Sequence, residues 1–167
     1  MSDDGYTFPV DLTSIMLFAS ALGETNRAYY DAEYSRTVGL GDVIAPPTFP
    51  TAAAHWDPTH SLRGVRQIPE PPTKPSKKPR QTEKSGGGER DVGRLLHGEQ
   101  RFIYHKPLHP GMLLSVTRKA GKRWEKEGKR GGTMQFSENV SEYRDENGEL
   151  VVTAIGVGII TGKVVEG

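Results

Sequence analysis

Residues Leu17–Trp56 read LFASALGETNRAYYDAEYSRTVGLGDVIAPPTFPTAAAHW, and this stretch decides the fold that the sequence predicts. It begins as a helical run, and a turn with a short helix over Asn26–Ser35 follows. Gly39–Pro47 predicts a loop, because its glycines permit tight turns and its two consecutive prolines keep the chain extended. Thr48–Trp56 predicts a buried helix capped by Thr48, since its small alanines allow close packing against a sheet.

The residues before this stretch predict one strand and the start of the first helix. Tyr6–Val10 has strand character, with a proline that suits an edge position. Asp11 and Thr13 are both possible N-caps of the helix that follows, and Gly23 suits its C-terminal end. The helix has one apolar face at helical spacing, formed by Ile15, Phe18, Ala19 and Leu22.

The second half of the chain is rich in strands. The predicted strands are Leu95–His105, Met112–Lys119, Met134–Val140 and Leu150–Ile160. The polar, glycine-bearing residues 120–130 predict a long hairpin, and residues 145–148 carry the Asn-Gly signal of a tight turn. The last strand is apolar on both faces, so we expect it to be covered on both sides. One strand, two helices and then four strands in an antiparallel meander predict an α+β fold.

Residues 57–90 separate these two halves. They hold eight Lys/Arg and four Asp/Glu, six prolines and three consecutive glycines. Proline removes backbone donors and glycine adds chain entropy, so this composition predicts a flexible insertion within one domain. Such a segment is either a solvated loop or an arm that lies across a partner subunit or over a phosphate-bearing ligand.

The composition limits the classes of protein that are possible. The chain has 167 residues, which fits one domain, and a net charge of +1. It holds no cysteine, which excludes disulfides and cysteine zinc sites and makes a cytoplasmic location the default expectation. No apolar run approaches the ~20 residues of a membrane span, and near-neutral charge without interleaved exposed aromatics argues against nucleic acid.

Two sequence motifs resemble those of a known family. Gly23-Glu24-Thr25-Asn26-Arg27-Ala28-Tyr29 resembles the Gly-Asp-x-Asn-Pro-x-His signature of MaoC-like hydratases and dehydratases, with Glu24 for the catalytic Asp and Tyr29 for the catalytic His. Residues 95–111 resemble the second block of that family, a strand that passes into a Pro-Leu-x-x-Gly-Asp turn, although Met112 replaces its Asp. The N-terminal-type domain and the non-catalytic subunit of mycobacterial hydroxyacyl-ACP dehydratase are the most similar members.

This resemblance implies a single hot dog domain over residues 1–167, in which an antiparallel sheet wraps around a central helix. Active members add water to, or remove it from, a 2-enoyl or (R)-3-hydroxyacyl thioester on coenzyme A or acyl carrier protein. An Asp and a His share the water, and a backbone N–H at a helix start polarises the thioester carbonyl. No metal or redox cofactor is required. Non-catalytic members pair with a catalytic hot dog protein and shape the acyl-binding channel.

The residues at the signature positions are the candidate catalytic residues Glu24, Asn26 and Tyr29. Asn26 matches the Asn of the family and could orient a water. A phenol with a pKa near 10 is a weak base at neutral pH, so the sequence favours a non-catalytic or partner-dependent subunit. Two alternatives stay open: an independently active hydratase that uses Glu24 or a histidine such as His55 or His97, and an acyl-thioester scaffold without chemistry.

Five residues are the candidate substrate-binding residues. Pro47, Thr48 and Phe49 stand at the start of the second helical run, and His97 and Arg118 lie on predicted strands. Arg118 begins a basic hairpin that also contains Lys119, Lys122, Arg123, Lys126, Lys129 and Arg130. This hairpin is either a solvated surface that resists aggregation or a landing place for coenzyme A phosphates or an acidic carrier protein.

Overall fold

The computed structural model describes residues 5–58, 95–128 and 132–162. In these ranges one strand, four short helices and four further strands follow each other along the chain. They are β1 (Tyr6–Pro9), α1 (Leu12–Ala21), the 3-10 helix η1 (Arg27–Tyr29), α2 (Ala32–Thr37), the 3-10 helix η2 (Phe49–His55), β2 (Leu95–Tyr104), β3 (Leu113–Gly128), β4 (Gly132–Arg144) and β5 (Leu150–Thr161).

The first helix begins and ends where the sequence predicts. Asp11 is its N-cap, and its carboxylate accepts a hydrogen bond from the backbone N–H of Ser14 at 2.8 Å. Gly23, just after the helix, has a φ of 72°, which favours glycine. The helix predicted over 26–35 is divided into η1 and α2, because Asp31 has extended backbone and its side chain caps α2 by accepting from the N–H of Tyr34.

The second helical run forms a 3-10 helix of seven residues, η2. Thr48 is its N-cap residue but makes no side-chain capping hydrogen bond, so the predicted cap is wrong. Pro50, at the start of η2, has no N–H to donate to the preceding turn. Two tyrosines hold η2 on the sheet, since the hydroxyl of Tyr104 donates to the carbonyl of Pro47 and that of Tyr143 donates to the carbonyl of Pro50, each at 3.0 Å.

All five strands form one antiparallel sheet in the order β1-β3-β4-β5-β2. The predicted meander of four strands is therefore wrong in one respect: β3, β4 and β5 are consecutive neighbours, but β2 pairs with β5 at the far edge. The β2–β3 connection crosses the end of the core, where Leu108 is 1% exposed and its carbonyl accepts from the N–H of Ala45.

Strand β3 is longer than the apolar pattern indicates. It continues through the polar residues that predicted a hairpin and ends at Gly128, opposite Gly132 of β4. The tip of the hairpin, 129–131, lies outside the described residues. In β5, Val151 and Val152 are both fully buried, as expected for a strand covered on two sides, whereas Ile160 is 47% exposed near the other end.

The core lies between the helices and one face of the sheet. Phe8, Phe49 and Ile15 are fully buried there, with Leu114 and Val116 of β3. The ring of Phe49 packs 5.6 Å from that of Phe8 and 5.4 Å from that of Phe18, measured between centroids. The core therefore fixes η2 against β1 and α1.

Only the first two residues of the predicted insertion, Asp57 and Pro58, are described. The side chain of Asp57 is 4% exposed and forms an ion pair with the guanidinium of Arg118. Residues 59–90 lie outside the described residues, so their predicted flexibility stays a prediction. Among the residues that the structure describes, no helix is long and apolar enough to cross a membrane.

Candidate functional site

The signature residues lie on the turn between α1 and η1. Asn26 is the N-cap of η1, and its side-chain oxygen accepts from the backbone N–H of Ala28 at 3.0 Å. Glu24 is exposed, and its backbone carbonyl accepts from the hydroxyl of Tyr30 at 2.8 Å. Asn26 therefore uses its amide oxygen to build the turn, and the Glu24 carboxylate faces water.

Tyr29 is the buried member of the signature, with 8% of its surface exposed. Burial raises the pKa of its phenol, and the nearby Glu24 carboxylate raises that pKa further. Burial also strongly raises the pKa of Tyr104, and the charge that an ionised Tyr29 would carry adds to the effect. Two phenols that stay protonated thus lie close together, beside the carbonyl of Pro47 to which Tyr104 donates.

The three predicted substrate-binding residues at the start of η2 differ in their exposure to solvent. Pro47 and Thr48 are exposed, so both can meet a ligand. Phe49 is fully buried in the core, and its backbone N–H already donates to the carbonyl of Pro46 at 2.9 Å. The structure therefore brings Pro47 and Thr48 next to Tyr104. The ring of Phe49, the first residue of η2, packs into the core instead.

A cleft of about 470 Å³ opens between η2 and the sheet. Phe102 and Gln100 line it and precede Tyr104 on the same face of β2, so the cleft and the tyrosine pair share one side of the sheet. Polar and small side chains from neighbouring elements complete the lining, namely Tyr6, Pro50, Thr51, Ala54, Arg118, Asn139, Ser141, Tyr143, Ala154 and Gly156. The cleft can hold a small, partly polar group beside η2.

Arg118 is the one predicted substrate-binding residue that lines the cleft. Its guanidinium pairs with Asp57 and lies 5.4 Å from the centre of the Tyr6 ring. The Arg118 side chain is 46% exposed, so part of its donor capacity faces solvent. Since Asp57 lies two residues after the end of η2, this ion pair also links the end of η2 to β3.

The two candidate histidines and the basic hairpin lie on η2, β2, β3 and β4 rather than on the signature turn. His97 is exposed on β2 beside an irregularity in the strand, and His55 is exposed at the end of η2. In the hairpin, Lys119 pairs with Glu142 across to β4, and Lys126 lies over the ring of Phe136. Lys129 and Arg130 lie outside the described residues. No group of three His, Cys, Asp or Glu that could hold a metal is found among the described residues.

Sequence reasoning missed several residues of the site. Gln100, Asn139 and Ser141 line the cleft, and Tyr104 contacts the start of η2. Gln100, Tyr104 and Asn139 lie on predicted strands, whereas Ser141 lies just beyond the predicted end of its strand. Which strand face meets the cleft depends on the register between strands, which one strand alone does not determine. The alternation of Gln100, Phe102 and Tyr104 on one strand face was the available signal.

Comparison with known sequences identifies related proteins. Residues 2–154 match the family described as the FAS1-like, dehydratase domain region. A UPF0336 protein of Streptomyces griseus is 31% identical over 166 residues, covering 90% of this chain and 87% of that protein. The probable enoyl-CoA hydratase alpha subunit of Thermomonospora curvata is 28% identical over 155 residues, covering 87% of this chain and 43% of that protein.

Solved structures with the same fold confirm the hot dog architecture. The HadBC (3R-hydroxyacyl-ACP dehydratase) complex of Mycobacterium tuberculosis contains a chain with a TM-score of 0.63 at 21% identity, covering 93% of both chains. A chain of the ChsH1-ChsH2 complex of the same organism has a TM-score of 0.65 at 17% identity, covering 98% of this chain and 84% of that one. A MaoC-like dehydratase of Rhodospirillum rubrum has a TM-score of 0.57 at 13% identity, covering 96% and 92%.

Proposed function

We propose a function from one premise: the chain belongs to the family of FAS1-like dehydratase domain regions, hot dog proteins of the MaoC-like hydratase and dehydratase type. In our proposal it is a non-catalytic subunit of an (R)-specific enoyl-thioester hydratase or 3-hydroxyacyl-thioester dehydratase. It pairs with a hot dog protein that supplies the Asp/His pair, and it shapes the channel for the acyl chain of a coenzyme A or acyl-carrier-protein thioester.

The state of the two signature positions is the observation that carries this proposal. A general base works best when its pKa lies near the operating pH. Tyr29 is a buried phenol whose pKa is raised above its ordinary value near 10, so it cannot take a proton from water at pH 7. Glu24 is exposed and has no histidine at the signature position to share a water with. The turn is kept, but its acid–base pair is not.

The comparisons support a subunit of a larger enzyme. Two of the similar solved structures are complexes, HadBC and ChsH1-ChsH2. The Thermomonospora relative is named as an alpha subunit, which indicates at least one other subunit for that protein. A chain that lacks its own acid–base pair fits such an arrangement.

The contacts with the thioester are proposed at the start of η2 and along the cleft. Pro47 and Thr48 are exposed there, and the Tyr104 hydroxyl fixes the Pro47 carbonyl. Arg118 provides a partly exposed guanidinium at the cleft. In this proposal Phe49 acts as the rigid floor below the contact, and His97 acts from the far end of the same sheet face.

Hydration of crotonyl-CoA tests the proposal, measured with the isolated chain and with the chain co-purified with a hot dog partner that carries the Asp/His signature. We expect no rate above background for the isolated chain and a clear rate for the complex. Glu24→Ala should leave the rate of the complex within about twofold, because the working pair belongs to the partner.

Other outcomes of these assays would favour the two alternative functions. If the isolated chain hydrates crotonyl-CoA and Glu24→Ala slows it on the order of 100-fold or more, the chain is an independently active hydratase. If neither the chain nor any such complex turns over the thioester but the chain binds it, the scaffold role applies. A Glu24→Asp, Tyr29→His double variant that gained activity alone would indicate that only the acid–base pair is missing.

A further inference from the structure

The sheet surface that lines the cleft changes in character along the strands. Where it adjoins the core, Tyr143 of β4 pairs with Val152 of β5, and both side chains are buried. Two residues further along each strand, Ser141 pairs with Ala154. Directly paired residues, and every second residue along a strand, share one face of a sheet. The side chains of this face therefore become smaller and more polar with distance from the core.

The next row of the same face sets two carboxamides on either side of a glycine. Asn139 of β4 and Gln100 of β2 both pair with Gly156 of β5, so the three residues lie side by side across the sheet. All three line the cleft. A Cβ at Gly156 would lie 3.2 Å from the Oε1 of Gln100, so the Gln100 side chain extends over the glycine. We call these three residues the amide row, and its glycine leaves a slot between the two amides.

The polar groups at this end of the cleft have hydrogen-bonding capacity to spare. A carboxamide offers two N–H donors and an acceptor oxygen, and a hydroxyl both donates and accepts. Within residues 5–58, 95–128 and 132–162, no hydrogen bond joins the side chain of Gln100, Asn139 or Ser141 to another residue. On the opposite wall, by contrast, the hydroxyl of Thr51 donates to the carbonyl of Thr48 at 2.8 Å. A polar ligand group can therefore bind at the amide row without displacing a hydrogen bond between these residues.

Charge narrows the class of that ligand group. Of the described residues that line the cleft, Arg118 alone carries a charge, and its guanidinium pairs with the buried carboxylate of Asp57. A ligand carboxylate would have to compete with Asp57 for this guanidinium. The amide row is neutral and can both donate and accept hydrogen bonds, which matches an alcohol hydroxyl.

The length of the strand sets where such a hydroxyl would stand in an acyl chain. The thioester contact is proposed beside Tyr104, whose hydroxyl donates to the carbonyl of Pro47. Gln100 lies four residues away on the same face of β2, which is about 13 Å at ~3.3 Å per residue. Roughly ten carbon–carbon bonds of ~1.5 Å each span that distance as a zigzag chain. Phe102, between the two, offers the methylenes an apolar surface.

We propose that the cleft selects acyl groups of medium length that carry a neutral hydroxyl at their far end, held between Asn139 and Gln100. This inference rests on the proposed function and deepens it by naming the class of acyl group. A plain alkyl chain would cover the two carboxamides and remove their hydrogen bonds to water without replacing them, so it binds more weakly.

Isothermal titration calorimetry with three saturated thioesters tests the proposal. They are decanoyl-CoA, 10-hydroxydecanoyl-CoA and the coenzyme A monothioester of decanedioic acid. They share the carrier and the chain length, so contacts with coenzyme A cancel, and none has a double bond to hydrate. We expect the hydroxylated ligand to bind about tenfold more tightly than decanoyl-CoA, as one or two net hydrogen bonds give. The ligand with the terminal carboxylate should bind no more tightly than decanoyl-CoA.

Substitutions in the amide row locate this preference. Asn139→Leu and Gln100→Leu should each reduce it to about threefold, and the double variant should bring the two Kd values within about twofold of each other. Gln135→Leu is the matched control, because Gln135 lies on the same face of β4 but outside the cleft lining, and its amide donates to Glu125. It should keep the tenfold preference. Circular dichroism checks that each variant is folded.

The full chain and its complex with the catalytic hot dog partner are both titrated, which separates this inference from the proposed function. If the thioesters bind equally, or if the preference survives in the double variant, the amide row does not select the acyl group, and the subunit role stands. Tightest binding of the terminal carboxylate would overturn the neutral class of ligand. If neither the chain nor the complex binds any of the three thioesters, the inference and the proposed thioester contact are both overturned.

Discussion

Glu24 and Tyr29 stand at the two positions where the MaoC-like signature carries its acid–base pair. Their identities could be read from the sequence, and so could the weakness of a phenol as a base. The burial of Tyr29 could not, because it depends on tertiary packing that brings distant residues together, among them Tyr104, which lies 75 positions later and whose pKa Tyr29 raises. The role of Asn26 as the cap of η1 was also hidden, since capping and water binding use the same amide oxygen.

The burial of Tyr143 predicts that the free energy of unfolding falls at alkaline pH. Burial raises its pKa well above its usual range, so the native state keeps its proton at a pH where the unfolded chain loses it. The contribution is fully present below about pH 10 and is lost as the pH rises further, by up to about 1.4 kcal/mol per pH unit. We expect urea unfolding at pH 9, 10 and 11 to give a falling free energy of unfolding, with a shallower fall in Tyr143→Phe. Equal slopes would contradict this.

The two tyrosines that contact η2 should differ at neutral pH. Tyr143 is 5% exposed, so Tyr143→Phe leaves the Pro50 carbonyl without this donor in a buried place and should cost about 1–2 kcal/mol. Tyr104→Phe should cost about 0.5–1 kcal/mol, because water can reach the exposed Pro47 carbonyl. Urea denaturation at pH 7 measures both, and a larger loss for Tyr104→Phe would reverse the assignment.

Among the helices, strands and turns, the sequence predicted those whose positions are determined by neighbouring residues in the chain. Asp11, Gly23 and the Asn-Gly turn carry their own signals, and α1, β1 and the β4–β5 turn lie where these signals place them. The position of β2 beside β5 and the irregularities at Gly98 and Gly121 were not predicted. They arise from pairing between residues about 60 and 17 positions apart, which leaves no periodic trace in either strand alone.

The ion pair between Asp57 and Arg118 should contribute more to stability than the exposed ion pair between Lys119 and Glu142. The Asp57 side chain is 4% exposed, so Arg118→Leu leaves a buried carboxylate without this partner; allowing for the half-exposed arginine, we expect a loss of roughly 1–3 kcal/mol. Lys119→Leu removes an exposed pair with Glu142 and should cost less than about 1 kcal/mol. Thermal unfolding of both variants compares them directly, and equal losses would mean that Asp57 does not depend on Arg118.

For the whole molecule, the family resemblance rather than the strand pattern predicted the hot dog fold. The structure adds that η2 is a short 3-10 helix and that the β2–β3 connection places Leu108 in the core. Neither feature follows from composition. How the chain assembles depends on its whole surface, including the two edges of the sheet.

We expect the chain to pair side by side with another hot dog domain, either a second copy or a catalytic partner. The two sheet edges differ: β1 offers four residues and β2 offers ten, so β2 is the edge with more unpaired backbone groups to satisfy. Joining two such edges makes one continuous sheet. Light scattering should therefore give a dimer for the chain alone or a one-to-one complex with the partner.

Hydrogen exchange locates this pairing. In an isolated sheet, alternate amides of the edge strand β2 point away from β5 and exchange quickly, whereas pairing along that edge protects them as well. We expect slow exchange at nearly all amides of residues 95–104 in the assembled protein, and the four-residue edge at β1 serves as the internal reference. A monomeric mass together with fast exchange at every second amide of β2 would show that the edge stays open, and the proposed subunit would then need another way to reach its catalytic partner.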